Sequence, residues 1–203
     1  MKSRRKKLRS VNRLVIGVIG VRHGVGCTHV ACSIANYLRS VEKRTVLLIE
    51  MDEVSQLLPI MMDEPVSYAG HVIYSYQGVW YALSAGSREA GELIRQREPG
   101  AIVIDFGVYR NENALVLDQC KKKIVLGSLM PWCRDAYDSF MEEINKNKKD
   151  MTQMEYYSFM LQKQQQDEFV RRYPVLMREL PVLSNPFALE KRDFACLQRI
   201  IYQ

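Results

Sequence analysis

The chain has 203 residues, 47% of them hydrophobic, and a formal charge of +6, enough apolar material to bury one α/β domain. No run approaches the roughly 18 consecutive apolar residues that span a bilayer, and the first residues hold no apolar leader core. Five cysteines (Cys27, Cys32, Cys120, Cys133, Cys196) form no CxxC pair. They point to reduced thiols in a cytoplasm and away from a disulfide framework.

The charge is uneven. Residues 1–13 carry Lys2, Arg4, Arg5, Lys6, Lys7, Arg9 and Arg13 and no acid, and removing these seven from +6 leaves −1 for the rest. The expected organisation is a basic, flexible arm over 1–12 followed by one α/β domain over 13–203. Such an arm suits a polyanion, whether nucleic acid, an anionic membrane surface or an acidic partner. At about 1 kcal/mol per basic residue, seven would hold a protein reversibly on an anionic bilayer. A solubilising tail has the same composition, and no aromatics interleave with the charges as single-strand binding uses them.

In chain order, Leu14 to Val21 (LVIGVIGV) reads as a buried parallel strand. The segment Val21-Arg22-His23-Gly24-Val25-Gly26-Cys27-Thr28 follows it. From Val30, the apolar residues Ala31, Ile34, Ala35 and Leu38 recur at helical spacing, predicting a helix over 27–40. A strand is expected at 45–50 and a short helix over 53–62, stopped before Pro65. Segments 70–76 and 79–83, separated by Gln77-Gly78, read as a hairpin or two short strands, and 87–97 as a helix leading into a strand at 101–107. Beyond it the pattern gives a helix at 111–120, a strand at 124–128 and a helix at 134–144. Residues 155–161 are ambiguous between helix and strand, with their aromatic content favouring strand; 164–172 reads as helix and 175–180 as strand. The alternation predicts a mostly parallel sheet covered on both faces, a three-layer α/β sandwich.

The strand-loop-helix around residue 24 is the setting of a phosphate-binding loop, G-x-x-x-x-G-K-[S/T]. There, backbone N–H groups cradle phosphates, a lysine reaches the β/γ-phosphates and a hydroxyl binds Mg²⁺. Gly24, Gly26 and Thr28 occupy motif positions, while Val21 replaces the first glycine and Cys27 the lysine. A helix N-terminus still favours an anion. A tight turn that never meets a phosphate would keep the same glycines. Cys27 and Cys32 lie about 140° apart around a helix, so with His23 and His29 they do not converge as zinc ligands do. Cys27 at a helix start has two readings, a reactive thiol of lowered pKa or a small buried residue; the second is favoured.

The loop resembles the deviant phosphate loop of the ParA/MinD family, close to GKGGVGKT. In that alignment Arg22 takes the place of the signature lysine that crosses to a partner subunit's nucleotide, and His23 replaces a glycine. Gly24, Val25, Gly26 and Thr28 match. Thr45 to Glu50 (TVLLIE) with Met51-Asp52 resembles the strand ending in D-x-D, with Glu50 in place of the first aspartate, which in the family helps position the attacking water. Ala101 to Gly107 (AIVIDFG) resembles the Walker B and switch II strand, with Asp105 at the Mg²⁺-associated position. Lys123 to Pro131 (KIVLGSLMP) resembles the strand and loop that end in a proline near the nucleotide's base.

The resemblance implies a P-loop NTPase-like fold and a cofactor site for ATP or ADP with Mg²⁺, built from Arg22, His23, Gly24, Val25, Gly26, Cys27, Thr28, Glu50 and Asp105. Thr28 and Asp105 would hold the metal. With Cys27 and Glu50 both departing from the pattern, the expected protein is a non-hydrolysing pseudo-ATPase with no catalytic residues. Its role would be that of a dimerising localisation or assembly factor with protein partners, similar to the TadZ/CpaE branch that places pilus or secretion machinery. Loss of nucleotide altogether, a slow Mg²⁺-dependent ATPase using Arg22, and a partition-type nucleic-acid-binding protein using the basic arm are the alternatives. The setting would be the cytoplasm or the inner face of the membrane. The amphipathic segment Leu189 to Ile201 is similar to the membrane-targeting helix of MinD relatives, but it lacks a long basic face and is expected to pack on the sheet.

Overall fold

The computed structural model describes residues 13–147 and 149–203; the basic segment 1–12 lies outside them. The first strand, β1 (Leu14–Gly20), is buried from Val15 onward, as a central parallel strand requires. Then come α1 (Cys27–Ser40), β2 (Val46–Glu50), β3 (Val66–Tyr68), β4 (His71–Tyr76), β5 (Val79–Ala82), α2 (Ser87–Arg95) and β6 (Ala101–Val108). The second half adds α3 (Ala114–Asp118), β7 (Lys122–Gly127), α4 (Arg134–Lys146), β8 (Glu155–Ser158), α5 (Lys163–Arg172), β9 (Met177–Glu179) and α6 (Lys191–Tyr202).

The strands form a sheet in the order β3-β4-β5-β2-β6-β1-β7-β8-β9. From β5 to β9 every neighbour pairs in parallel, and β4 and β3 extend the β5 side as antiparallel strands. One core layer joins the sheet to α1 and α6 through Ile34, Leu38, Leu197 and Ile200. The other joins it to α2, α3, α4 and α5 through Leu93, Leu117, Tyr137 and Phe169. This is the expected three-layer sandwich, and it gathers the carboxyl ends of β1, β2, β6 and β7 along one edge. In open α/β sheets, ligands bind at that edge.

Three elements differ from the sequence reading. The helix expected over 53–62 shrinks to a single 3-10 turn, Leu58–Ile60. Ser55 Oγ accepts the N–H groups of Leu57 and Leu58, a local side-chain bond that competes with helix. The helix over 111–120 is a 3-10 turn, Asn111–Asn113, running into the short α3. The 70–83 hairpin is present, turning through Gln77 and Gly78 at positive φ, but a further strand, β3, precedes it. The ambiguous segment at 155 is strand, as its aromatic content suggested.

The last helix packs as core. Leu197, Ile200 and Ile201 are buried, and Phe194 meets Tyr37 of α1 edge-on with centroids 5.8 Å apart. A capping box between Glu190 and Asp193 fixes its start, satisfying two N–H groups the helix would otherwise leave unpaired.

The end of β7 is a tight spot. A Cβ on Gly127 would lie 2.3 Å from Tyr137 Cε2 and 2.7 Å from Val21 Cγ2. The Tyr137 ring cannot yield, being fully buried and donating its hydroxyl to the carbonyl oxygens of Tyr157 and Val125. Gly127→Ala is therefore expected to cost about 2–3 kcal/mol in urea unfolding, the upper part of the roughly 1–3 kcal/mol typical of overpacking.

Candidate nucleotide site at the carboxyl edge of the sheet

The loop from β1 to α1 closes tightly on the strand it leaves. Gly24 and Gly26 have φ of 77° and 85°, the left-handed region that glycine occupies without strain. A Cβ on Gly20 would lie 2.8 Å from Cys27 Sγ, 2.9 Å from Val25 Cγ2 and 3.0 Å from the Arg22 carbonyl oxygen. The loop thus folds its Val25 and Cys27 side chains inward, and both are buried. Burial pushes the Cys27 thiol well above its usual pKa, and the nearby Asp105 and Asp52 push it further. Cys27 is the small buried residue favoured from sequence and not an activated thiol.

What remains at the loop favours anions. The 14-residue α1 starts at Gly26 with no side-chain cap and no acid in its first turn. The first N–H groups of a helix have no partner within it, and Gly26 offers no side chain to cap them. Arg22 and His23 are exposed. Arg22 Nη1 donates to Cys133 Sγ at 3.3 Å and pairs with no carboxylate among the described residues.

The opposite wall is acidic. Parallel register sets Asp105 of β6 beside Val18 of β1 and Glu50 of β2. Asp105 is fully buried, and burial raises its pKa to about 6; the Thr28 hydroxyl and the Gly107 N–H pull it down while Asp52 and Glu50 push it up. The Gly107 N–H bond to Oδ1 is 3.0 Å long, whereas Oδ2 has no hydrogen-bond partner among the described residues. An unpaired buried oxygen of this kind is costly. Glu50 is also fully buried and raised by burial, opposed by hydrogen bonds from Ser55 and from the Gln56 N–H.

An open cleft of about 350 Å³ lies between the walls, lined by Arg22 to Thr28, Asp52, Gln56, Gly107 and Val108. The structure therefore brings the seven loop residues together as the sequence suggested. Neither Asp105 nor Glu50 lines the cleft: Asp105 is buried against Thr28 and Gly107, which do, and Glu50 is turned into its own loop. Four lining residues were missing from the sequence-derived set. Asp52 was visible as the second acid of the D-x-D-like segment and Gly107 as the end of AIVIDFG. Gln56 and Val108 carry no motif signal. A Cβ on Gly107, at φ 58°, would lie 2.4 Å from Asp52 Oδ1, so only glycine lets this acid approach β6.

A second cleft, of about 270 Å³, adjoins the loop at Gly26 and is mostly apolar, walled by Val30, Phe159, Leu180, Val182 and Leu183. Pro131, expected near a base, lines neither cleft. The residues fit a magnesium-bound nucleotide at the metal end, where the bare Asp105 oxygen lies near Thr28. They fit less well at the terminal phosphates, where the buried Cys27 supplies no charge. Among the described residues no three His, Cys, Asp or Glu side chains are grouped to hold a metal unaided, so such an ion would need the nucleotide's own oxygens.

No protein-family model and no curated protein matches the chain. Solved structures do. A ParA family ATPase from Chlorobium tepidum TLS is 11% identical over 85% of each chain, with a TM-score of 0.65. The Pyrococcus furiosus cell division ATPase MinD is 15% identical over 80% of this chain and 81% of its own, at 0.58. Cobyrinic acid a,c-diamide synthase from Mycobacterium smegmatis, with a bound ATP analogue and magnesium, is 18% identical over 92% and 91%, at 0.61. The expected architecture is borne out: the chain has the P-loop NTPase fold of the ParA and MinD ATPases.

Proposed function

We propose that this protein is a non-hydrolysing relative of the ParA/MinD ATPases, a localisation or assembly factor that binds a magnesium nucleotide without turning it over. The observation that carries this reading is Cys27, buried under the loop where the motif's lysine would stand, in a site that still has Gly24, Gly26, Thr28 and Asp105 at their motif positions. Electrostatic stabilisation dominates phosphoryl transfer. Losing the cation at this position lowers the rate far more than it lowers binding, which backbone N–H groups and the helix terminus still support. Magnesium, when bound, supplies the charge neutralisation that Asp105, Asp52 and Glu50 lack on their own.

In this reading the protein dimerises around the nucleotide-bearing edge and presents surfaces to protein partners, as a TadZ/CpaE-like factor for pilus or secretion machinery at the inner face of the cytoplasmic membrane. The basic segment 1–13 adds a contact to an anionic membrane or to nucleic acid. The test is calorimetric titration with AMPPNP. Binding that strengthens with Mg²⁺, together with background ATP turnover, is the expected result.

A slow ATPase is the second reading, favoured by Arg22, a guanidinium at the cleft with no carboxylate partner among the described residues. It requires Mg²⁺-dependent turnover that Arg22→Ala abolishes. A partition-type DNA binder would instead lose a steeply salt-dependent interaction when residues 2–13 are deleted.

A further inference from the structure

Both carboxylate oxygens of Glu50 are committed within the loop that follows β2. Oε2 accepts the Ser55 hydroxyl, and Oε1 accepts the Gln56 N–H at 2.8 Å. Ser55 Oγ is used in the other direction as well, accepting the N–H groups of Leu57 at 3.1 Å and Leu58 at 2.9 Å. One buried acid thus organises three successive amides, and Leu57 anchors the far end in the core.

We propose that Glu50 is a positioning residue: it clamps residues 51–58 so that Asp52 and Gln56 stand in the wall of the cleft. Each of its oxygens accepts a hydrogen bond from the loop itself, which turns the carboxylate toward Ser55 and Gln56. The extra methylene relative to aspartate is what makes the clamp work. An aspartate would draw the carboxylate back by roughly 1–1.5 Å, carrying it out of hydrogen-bond range of Gln56. At its start the loop is tied by the Met51 N–H, which donates to the Asp105 carbonyl oxygen at 2.9 Å; the side-chain ties beyond Glu50 and Ser55 are weaker. Asp52 packs against Gly107, and Arg110 meets Glu53 at 2.8 Å in an exposed pair of a kind that contributes little. The acid difference that reads in sequence as damage is therefore matched to Ser55 within the same loop.

The clamp does not depend on nucleotide, so its test is separate from that of the proposed function. Amide hydrogen exchange is compared in the full chain for wild type, Glu50→Asp, Ser55→Ala and Ser55→Thr, without ligand. Both Glu50→Asp and Ser55→Ala are expected to speed exchange at Gln56, Leu57 and Leu58 about tenfold or more, since each loses a hydrogen bond involving a charged group. Amides of β1 and β6 should be unchanged, and Ser55→Thr, which keeps the hydroxyl, should restore protection. Wild-type exchange at those three amides in both variants would overturn the assignment. So would equal acceleration across the sheet, which would make Glu50 a general stabiliser, or failure of threonine to rescue.

Discussion

Asp105→Asn is expected to make the protein more stable at pH 7.5, by roughly 2–3 kcal/mol, while removing its ability to gain stability from magnesium and nucleotide. The reason is the buried carboxylate whose Oδ2 has no hydrogen-bond partner among the described residues and whose pKa is raised from 3.8 to about 6, mainly by burial. A raised acid pKa means that the folded state holds its proton more tightly than the unfolded chain. The contribution to stability is full below pH 3.8 and is lost as pH rises through about 6. At about 1.4 kcal/mol per pKa unit, that loss sets the size of the effect. Glu50 is shifted in the same direction, so some downward slope will survive in the variant. Urea unfolding at pH 4, 5, 6 and 7.5 measures it. A variant no more stable than wild type at pH 7.5 would mean that Asp105 is compensated and that its bare oxygen is not the strained feature of the site.

Cys27→Lys is the second large effect, and it acts on binding. The loop geometry already places residue 27 at the first turn of an uncapped helix, beside a cleft lined by Arg22 to Thr28. A lysine cannot keep its charge in the buried space that Sγ fills over Gly20; its stem must leave along the cleft, where the ammonium meets the terminal phosphates. A charge-assisted hydrogen bond of about 1.5–3 kcal/mol corresponds to roughly 10- to 100-fold tighter AMPPNP binding. The same substitution leaves Glu50 clamped, so a rise in affinity with little rise in turnover is expected. Unchanged affinity in calorimetry would show that the phosphate end of the cleft is not built for a nucleotide at all.

The fold was legible because its parallel strands are short, β-branched and doubly buried, and because the loop after Gly20 sits between a strand and a helix. The seven loop residues came with it, since a contiguous motif is brought together by local geometry alone. What stayed hidden depended on contacts between distant or irregular segments. The segment 53–62 has helical spacing on paper, yet Ser55 and Glu50 capture its amides. Gln56 enters the cleft only through that capture. Asp52 was visible as an acid, but its approach to Gly107 depends on two loops from different strands. The burial of Cys27 was expected from its size, whereas its packing against Gly20 is a property of the loop's fold.

The most direct measurement is the chemical state of nucleotide held by the wild-type protein. The full chain is incubated with labelled ATP and Mg²⁺, separated from free nucleotide, and the bound label is identified. The protein is expected to retain label in a Mg²⁺-dependent way, and the label is expected to be recovered as ATP after many minutes. Bound label recovered as ADP, or no label retained with or without Mg²⁺, would contradict it.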